Sequence, residues 1–187
     1  MIDLTRVIPG KLLSGEVKQL GYIVDDVEKG MDAWTKQVGL GPWICYQNVK
    51  LWGTYKGSPT TVYMHVALTY QANMQIELIQ PLNDAPSPYK EFTDRGRCGL
   101  HHFAYLCEDM QGAVELAQVN ELEVTFDITN GFNRYVYLTS PLMPDVFIEL
   151  IEASKDFVAQ FEQGVTLAKN WRGENPVTVI DLSRMHK

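Results

Sequence analysis

Apolar and polar positions along this chain change period in a regular order, and that order is repeated. Residues 17–24 read as a strand. Behind Asp25 and Asp26, either of which can cap a helix, Val27, Met31, Trp34 and Val38 recur at helical spacing until Gly39-Leu40-Gly41-Pro42 ends the run. An aromatic-rich stretch from Trp43 to about Tyr55, a Gly57-Ser58-Pro59 turn and a Thr-, Val- and Tyr-rich stretch from Thr60 to Tyr70 predict a hairpin. Met74 to Gln80 adds a further strand. The same sequence of periods then returns as a strand at 99–107, a helix from Asp109 to about Val119, and strands near 122–129 and 133–140. A Ser-Pro-Leu-Met-Pro loop at 140–144 precedes a last strand at 145–152.

The expected organisation is therefore an irregular lead-in at 1–16, a strand-helix-strand-strand-strand module at 17–80, a linker at 81–98, a second such module at 99–152, and a closing helix and tail at 153–187. The linker holds Pro81, Pro86 and Pro88 and a short helical segment from Ser87 to Phe92, with proline where a first turn tolerates it. Ser154 can cap the closing helix, whose Phe157, Phe161, Val165 and Ala168 form one apolar stripe. The run Val177-Thr178-Val179-Ile180 is able to pair with a sheet edge, in this chain or in a partner.

Direct echoes support the repeat. Gln19-Leu20-Gly21-Tyr22-Ile23-Val24 parallels His102-Phe103-Ala104-Tyr105-Leu106-Cys107, 83 residues later. Gln75-Ile76-Glu77-Leu78-Ile79-Gln80 parallels Phe147-Ile148-Glu149-Leu150-Ile151-Glu152, and both contain Ile-Glu-Leu-Ile. Each half thus opens on a strand holding Gln19 or His102 and closes on one holding Glu77 or Glu149. Taken singly, a strand Glu ordinarily faces solvent and a lone His is ordinarily a satisfied core or surface residue. Recurrence at matching places in two halves shifts that balance, because independent surface residues have no reason to repeat. A carboxylate between large aliphatic neighbours must find a cation, hydrogen bonds or a proton, and a divalent metal serves two at once. Amide oxygen, imidazole and carboxylate suit zinc, nickel, cobalt or manganese.

His101 and His102 are adjacent, and adjacent strand residues point to opposite faces. They are therefore not expected to pair. His101 should face away from any site that His102 serves, as a packing or surface residue.

Composition narrows the partners. The 187 residues are 45% apolar, enough for one full-sized core or two small modules sharing one. With 16 basic against 23 acidic residues and a formal charge of −7, nucleic acid is not an expected partner. Cys45, Cys98 and Cys107 have no CxxC spacing, which fits a reduced, cytoplasmic setting. The absence of a signal-like start or a long apolar run predicts a soluble protein without a membrane partner. A homodimer is compatible with the apolar closing helix and the tail. Serine-nucleophile, phosphate-loop and dinucleotide motifs are missing, and Gly39-Leu40-Gly41 lacks a third glycine.

The repeated strand-helix-three-strand pattern, His102-Phe103-Ala104-Tyr105 and the two Ile-Glu-Leu-Ile strands resemble the vicinal oxygen chelate superfamily, which includes glyoxalase I, methylmalonyl-CoA epimerase and extradiol dioxygenases. The resemblance covers roughly residues 17–152. It implies an α+β fold of two βαβββ modules whose curved mixed sheets enclose a cleft, with a divalent metal held by Gln19, Glu77, His102 and Glu149. Glutamine at position 19 departs from the histidine common in the epimerases. The resulting set is similar to that of zinc-type glyoxalase I and argues against an iron dioxygenase, which needs two histidines and one carboxylate.

The implied chemistry is that of a metal-dependent lyase, isomerase or epimerase acting on a small molecule. A proton next to a metal-bound carbonyl or carboxylate is removed by Glu149 as first candidate base and Glu77 as second. The alternatives are a non-catalytic, resistance-type small-molecule binder of the same fold, with the carboxylates paired to protein groups, and a structural module with its cleft filled by side chains. Strand parity and aromatic content nominate Trp43, Tyr46, Trp52, Tyr63, His65, Phe132 and Tyr135 as pocket walls, with His65, Trp52 and Tyr135 foremost for substrate binding.

Overall fold

The structure is a computed structural model that describes residues 15–186. Residues 1–14 of the expected lead-in lie outside the described residues. In the first half β1 (Gln19–Ile23) leads into α1 (Val27–Ala33), which Asp26 caps by accepting from Lys29 N at 3.0 Å. A π-helical turn (Trp34–Val38) follows and stops at Gly39, whose φ of 78° is the left-handed conformation that glycine adopts most readily. The half is completed by β2 (Trp43–Tyr55), β3 (Ser58–Gln71) and β4 (Met74–Pro81). After α2 (Pro88–Asp94), capped by Ser87, the order recurs as β5 (Gly99–Cys107), α3 (Met110–Val119), β6 (Glu123–Thr129), β7 (Arg134–Ser140) and β8 (Met143–Glu152). Finally α4 (Lys155–Asn170), capped by Ser154, precedes β9 (Val177–Asp181).

One boundary differs from expectation. β8 begins at Met143, because Ser140 pairs with Met143 across a tight Pro141-Leu142 turn, and the proline at 144 is taken into the strand.

Within each half the outer strands of the repeat run parallel, β1 with β4 and β5 with β8, and the others antiparallel. The halves meet through β1 against β5 and β2 against β6. With the strand order β3-β4-β1-β5-β8-β7-β6-β2-β9 and β3 also bonded to β2, strands β1 to β8 close into a ring. Strand β9 pairs in parallel with Trp43–Gln47 of β2, while β6 takes Trp52–Tyr55 of the same strand. The tail thus finds its sheet partner within the chain.

Three apolar clusters result. One lies beneath α1, around Met31, Trp43 and Leu78, and another beneath α3, around Val114, Leu138 and Leu150. The third is inside the ring, where α2 inserts Tyr89 and Phe92 against Phe126 and Tyr137. Helix α4 packs on β3: Phe161 meets Tyr70 edge-on at 5.0 Å, and the backbone of Gly164 lies so close that an added Cβ would sit 2.1 Å from the Tyr70 ring. Among the described residues no helix is long and apolar enough to cross a membrane.

Candidate metal centre and cavity

Register explains how four side chains from four strands reach one point. In β1, Gln19 is paired with Gln75 on one side and Ala104 on the other, and Ala104 is paired in turn with Glu149. One step along, Gly21 is paired with Glu77 and with His102. Two rows therefore cross the sheet on its inner face, and in each a small residue, Ala104 or Gly21, separates the two polar ones. The small residues leave room. An added Cβ on Gly21 would lie 1.9 Å from Cε1 of His102, so the imidazole occupies the space that any larger side chain would take.

The outcome is three oxygens gathered on one nitrogen. Nε2 of His102 lies 3.1 Å from Oε1 of Gln19, 3.3 Å from Oε2 of Glu77 and 3.0 Å from Oε2 of Glu149. A ring N–H points in one direction and satisfies one acceptor well. Oε2 of Glu149 is fully buried, and although His102 is near, that oxygen lies out of line for a hydrogen bond. One nitrogen and three oxygens with ligating atoms of Glu77, His102 and Glu149 all within 4.8 Å are better matched to a divalent cation than to a single proton.

Surrounding contacts orient these groups. Nε2 of Gln19 donates to Oε1 of Gln75 at 2.7 Å, which turns the Gln19 amide oxygen toward His102. Nε2 of Gln75 donates to the Tyr70 hydroxyl at 2.6 Å, and burial pushes that phenol up to about 12. Burial works against charging His102, but the carboxylates of Glu149 and Glu77 outweigh it and raise its pKa to about 9. Burial also raises the pKa of Glu149, while His102 pulls the other way.

The two histidines overturn simple alternation. The register steps from Gly21–His102 to Tyr22–Leu100, so His101 sits in a β-bulge and both rings enter the core with no exposure. Their Nδ1 atoms are 3.1 Å apart. His101 is wedged among Phe147, Phe92 and Tyr89 at ring distances of 4.8, 5.1 and 5.4 Å, and burial lowers its pKa well below the usual histidine range. The Nδ1 atoms thus share one proton between the rings, which leaves Nε2 of His102 for the three oxygens and Nε2 of His101 buried without a hydrogen-bond partner among the described residues. The packing role expected of His101 is present, but the expectation that the pair could not meet is corrected.

A cavity of about 250 Å³ opens onto Gln19, Glu77 and Glu149, with His102 behind them. Its walls include Val49, Leu51, Met64, Val66, Leu68, Ile79 and Ile151, the rings of Tyr46, Tyr89, Tyr135 and Tyr137, and the amides of Gln75, Asn130 and Asn133. The C-terminal segment adds Phe157, Gln160 and Leu182.

Of the residues nominated for substrate binding, Tyr135 lines this cavity and its hydroxyl accepts from Asn130 at 3.2 Å. His65 lies outside the lining. Alternation along β3 sends Met64, Val66 and Leu68 inward and His65 to the other face, where its Nδ1 accepts from the backbone of Asn48. Trp52 also lies outside, 41% exposed, because the register shift between Tyr46 and Val49 reverses parity along β2. Before the shift Tyr46 faces in, and after it Val49 and Leu51 do. Trp43 is buried under α1, whereas Tyr63 and Phe132 are exposed. Sequence reasoning missed Gln75, which shares the parity of Glu77, and the wall residues Tyr137, Phe157 and Gln160. Only the first carried a local signal.

The fold and the site define a two-module scaffold with a metal-competent floor. A sequence profile of the Glyoxalase/Bleomycin resistance protein/Dioxygenase superfamily matches residues 18–139, and the chain belongs to that superfamily. No curated protein matches it at a significant level. Among solved structures it is similar to methylmalonyl-CoA epimerase from Mycobacterium tuberculosis, with a TM-score of 0.54 and 16% identity over 76% of this chain and 91% of that one. A hypothetical protein from Bacillus halodurans gives 0.52 and 14% over 74% and 94%. A variant of Streptomyces coelicolor methylmalonyl-CoA epimerase in complex with 2-nitronate-propionyl-CoA gives 0.50 and 13% over 74% and 94%. At such identities the likeness is one of fold.

Proposed function

We propose that this protein is a metal-dependent lyase or isomerase, epimerases included, that removes a proton next to a carbonyl or carboxylate of a small substrate. The observation that carries the reading is the convergence of Gln19, Glu77 and Glu149 oxygens on Nε2 of His102 at the floor of a cavity. Those four residues would hold the ion, from the divalent first-row set that mixed nitrogen and oxygen donors accept. Bound there, a divalent ion supplies electrostatic stabilisation for negative charge that develops on a substrate oxygen as a neighbouring C–H bond ionises.

The chain's own groups do the rest. Glu149 and Glu77 reach the cavity from the second and the first module, so each can receive a proton from substrate held between them. Glu149 is the first candidate base, because a carboxylate that loosens from the ion becomes a general base within reach of bound substrate. Glu77, 14% exposed, stands opposite and can return a proton from the other side. Apolar walls exclude water from the reacting carbon. A purely sequestering protein of the same fold would keep its carboxylates paired to protein groups, as His102 pairs with both here, and would take up no metal, so metal content separates the two readings.

Elemental analysis of the purified protein, then exchange of substrate C–H for deuterium in 2-oxo and acyl-thioester compounds, tests the reading. Changing Glu77 and Glu149 together to Ala is expected to abolish metal content and exchange while the fold is retained. Unchanged metal content in that variant would reject the site.

A further inference from the structure

We infer that the substrate is a compact, uncharged carbonyl compound with an apolar body, taken whole into the cavity, and that the C-terminal segment selects it. This rests on the reading of the metal centre given above. Three observations carry it.

The first is charge. Two carboxylates balance a dication, and Gln19 and a metal-ligating imidazole add nothing. Among the described residues the cavity lining holds no Lys, Arg or His. A substrate carboxylate or phosphate would therefore be buried as an uncompensated anion, which is disfavoured, whereas a neutral hydroxyketone or 1,2-dione brings oxygens without charge.

The second is size. At about 250 Å³ the space falls below the roughly 300–1,000 Å³ usual for pockets that hold drug-sized ligands. Its walls are aliphatic and aromatic between a floor of carboxylates and amide and a rim of Asn130, Asn133 and Gln160. That suits a ring or short branched chain with its oxygens at one end.

The third is the segment that completes the wall. Phe157 and Gln160 of α4 and Leu182 after β9 line the cavity, and Gln160 is exposed, which puts it at the mouth. Residues from 153 onward lie beyond the superfamily match at 18–139. The solved structures use more than nine-tenths of their own length while about a quarter of this chain has no counterpart in them. A long pantetheine arm would have to leave through the space these side chains fill.

The test uses the metal-loaded full-length protein and three probes read by calorimetry: 1-phenyl-1,2-propanedione, phenylpyruvate and propionyl-CoA. The dione is expected to bind, with phenylpyruvate at least about tenfold weaker for want of a buried counter-charge and propionyl-CoA at least about tenfold weaker because its arm exceeds the cavity. Phe157→Ala is expected to weaken the dione several-fold and narrow its advantage over propionyl-CoA, with metal content unchanged. Equal or tighter binding of phenylpyruvate or propionyl-CoA by the wild-type protein overturns the inference, as does binding of none of the three, or an unaltered preference in Phe157→Ala. Failure to take up metal at all would instead remove the reading on which it rests, so the two failures are separable.

Discussion

At the scale of single residues, the proposed site rests on side chains set behind the four convergent residues. His101 is the clearest. A metal-ligating histidine commonly donates its second N–H to a carbonyl or carboxylate; for His102, the proposed ligand, the group in that place is the buried imidazole of His101, 3.1 Å away. Replacing His101 by Phe keeps a ring against Phe92 and Phe147 but removes the acceptor. Metal affinity, measured by competition with a chromogenic chelator, should fall by about 10- to 100-fold with the fold retained, and His101→Asn should recover part of the loss.

Protonation gives a second expectation at this scale. In the metal-free protein the pKa of His102 is raised from 6.5 to about 9, so its contribution to stability is fully present below pH 6.5 and is lost as the pH rises through about 9. Denaturant midpoints of the metal-free protein should therefore fall between pH 7 and 9.5 by an amount equivalent to about 1–3 kcal/mol. The metal-loaded protein, whose histidine must already have given up that proton, should show no such fall. The same linkage means that metal uptake at pH 7 releases protons.

At the scale of elements, α4 is linked to the proposed metal centre without contacting it. Gly164 lets the helix lie on Tyr70, Tyr70 accepts from Gln75, and Gln75 turns the amide of Gln19. Gly164→Val should push α4 from β3, costing about 1–3 kcal/mol of stability as overpacked contacts do, and should weaken metal binding through the loss of Gln19 orientation. Thermal unfolding and the chelator assay read the two effects separately. If stability falls and affinity does not, the path from helix to ligand is refuted.

The same scale shows how much was legible beforehand. Strands, helices and their order follow from period and capping residues, since Asp26, Ser87, Asp109 and Ser154 all accept from the first turn they precede. Glu77 and Glu149 were legible because the Ile-Glu-Leu-Ile repeat carries their identity and their parity together. Trp52, His65 and His101 were not. β3 alternates without a break, so for His65 only the closure of the sheet decides which face turns inward; for Trp52 and His101 parity fails because it holds only while the pairing register is unbroken, and bulges at positions 46–49 and at His101 break it. Those bulges answer to the curvature of the closed sheet, a demand that no local pattern records.

At the scale of the whole molecule, each module supplies one polar residue from its first strand and one carboxylate from its last, so neither half holds the complete set. Ion binding at the proposed centre is therefore expected to stabilise the molecule as a unit. With free metal at about 100 times the dissociation constant, the gain should be about 2.7 kcal/mol in a single transition. Far-ultraviolet dichroism and tryptophan fluorescence should move together, and a two-step curve in which only one step responds to metal would contradict a shared centre.

By itself the sequence determined the duplicated module, its elements and the chemical identity of the four convergent residues, because period, capping and repeated motifs are local properties of the chain. Only the tertiary structure decided that Gly21 and Ala104 space those residues, that His101 turns inward behind His102, and that a C-terminal helix and the residue after β9 wall the cavity. The first two arise from register between strands distant in sequence, which is set by how a curved sheet closes on itself, and the third from α4 packing on β3 of that sheet.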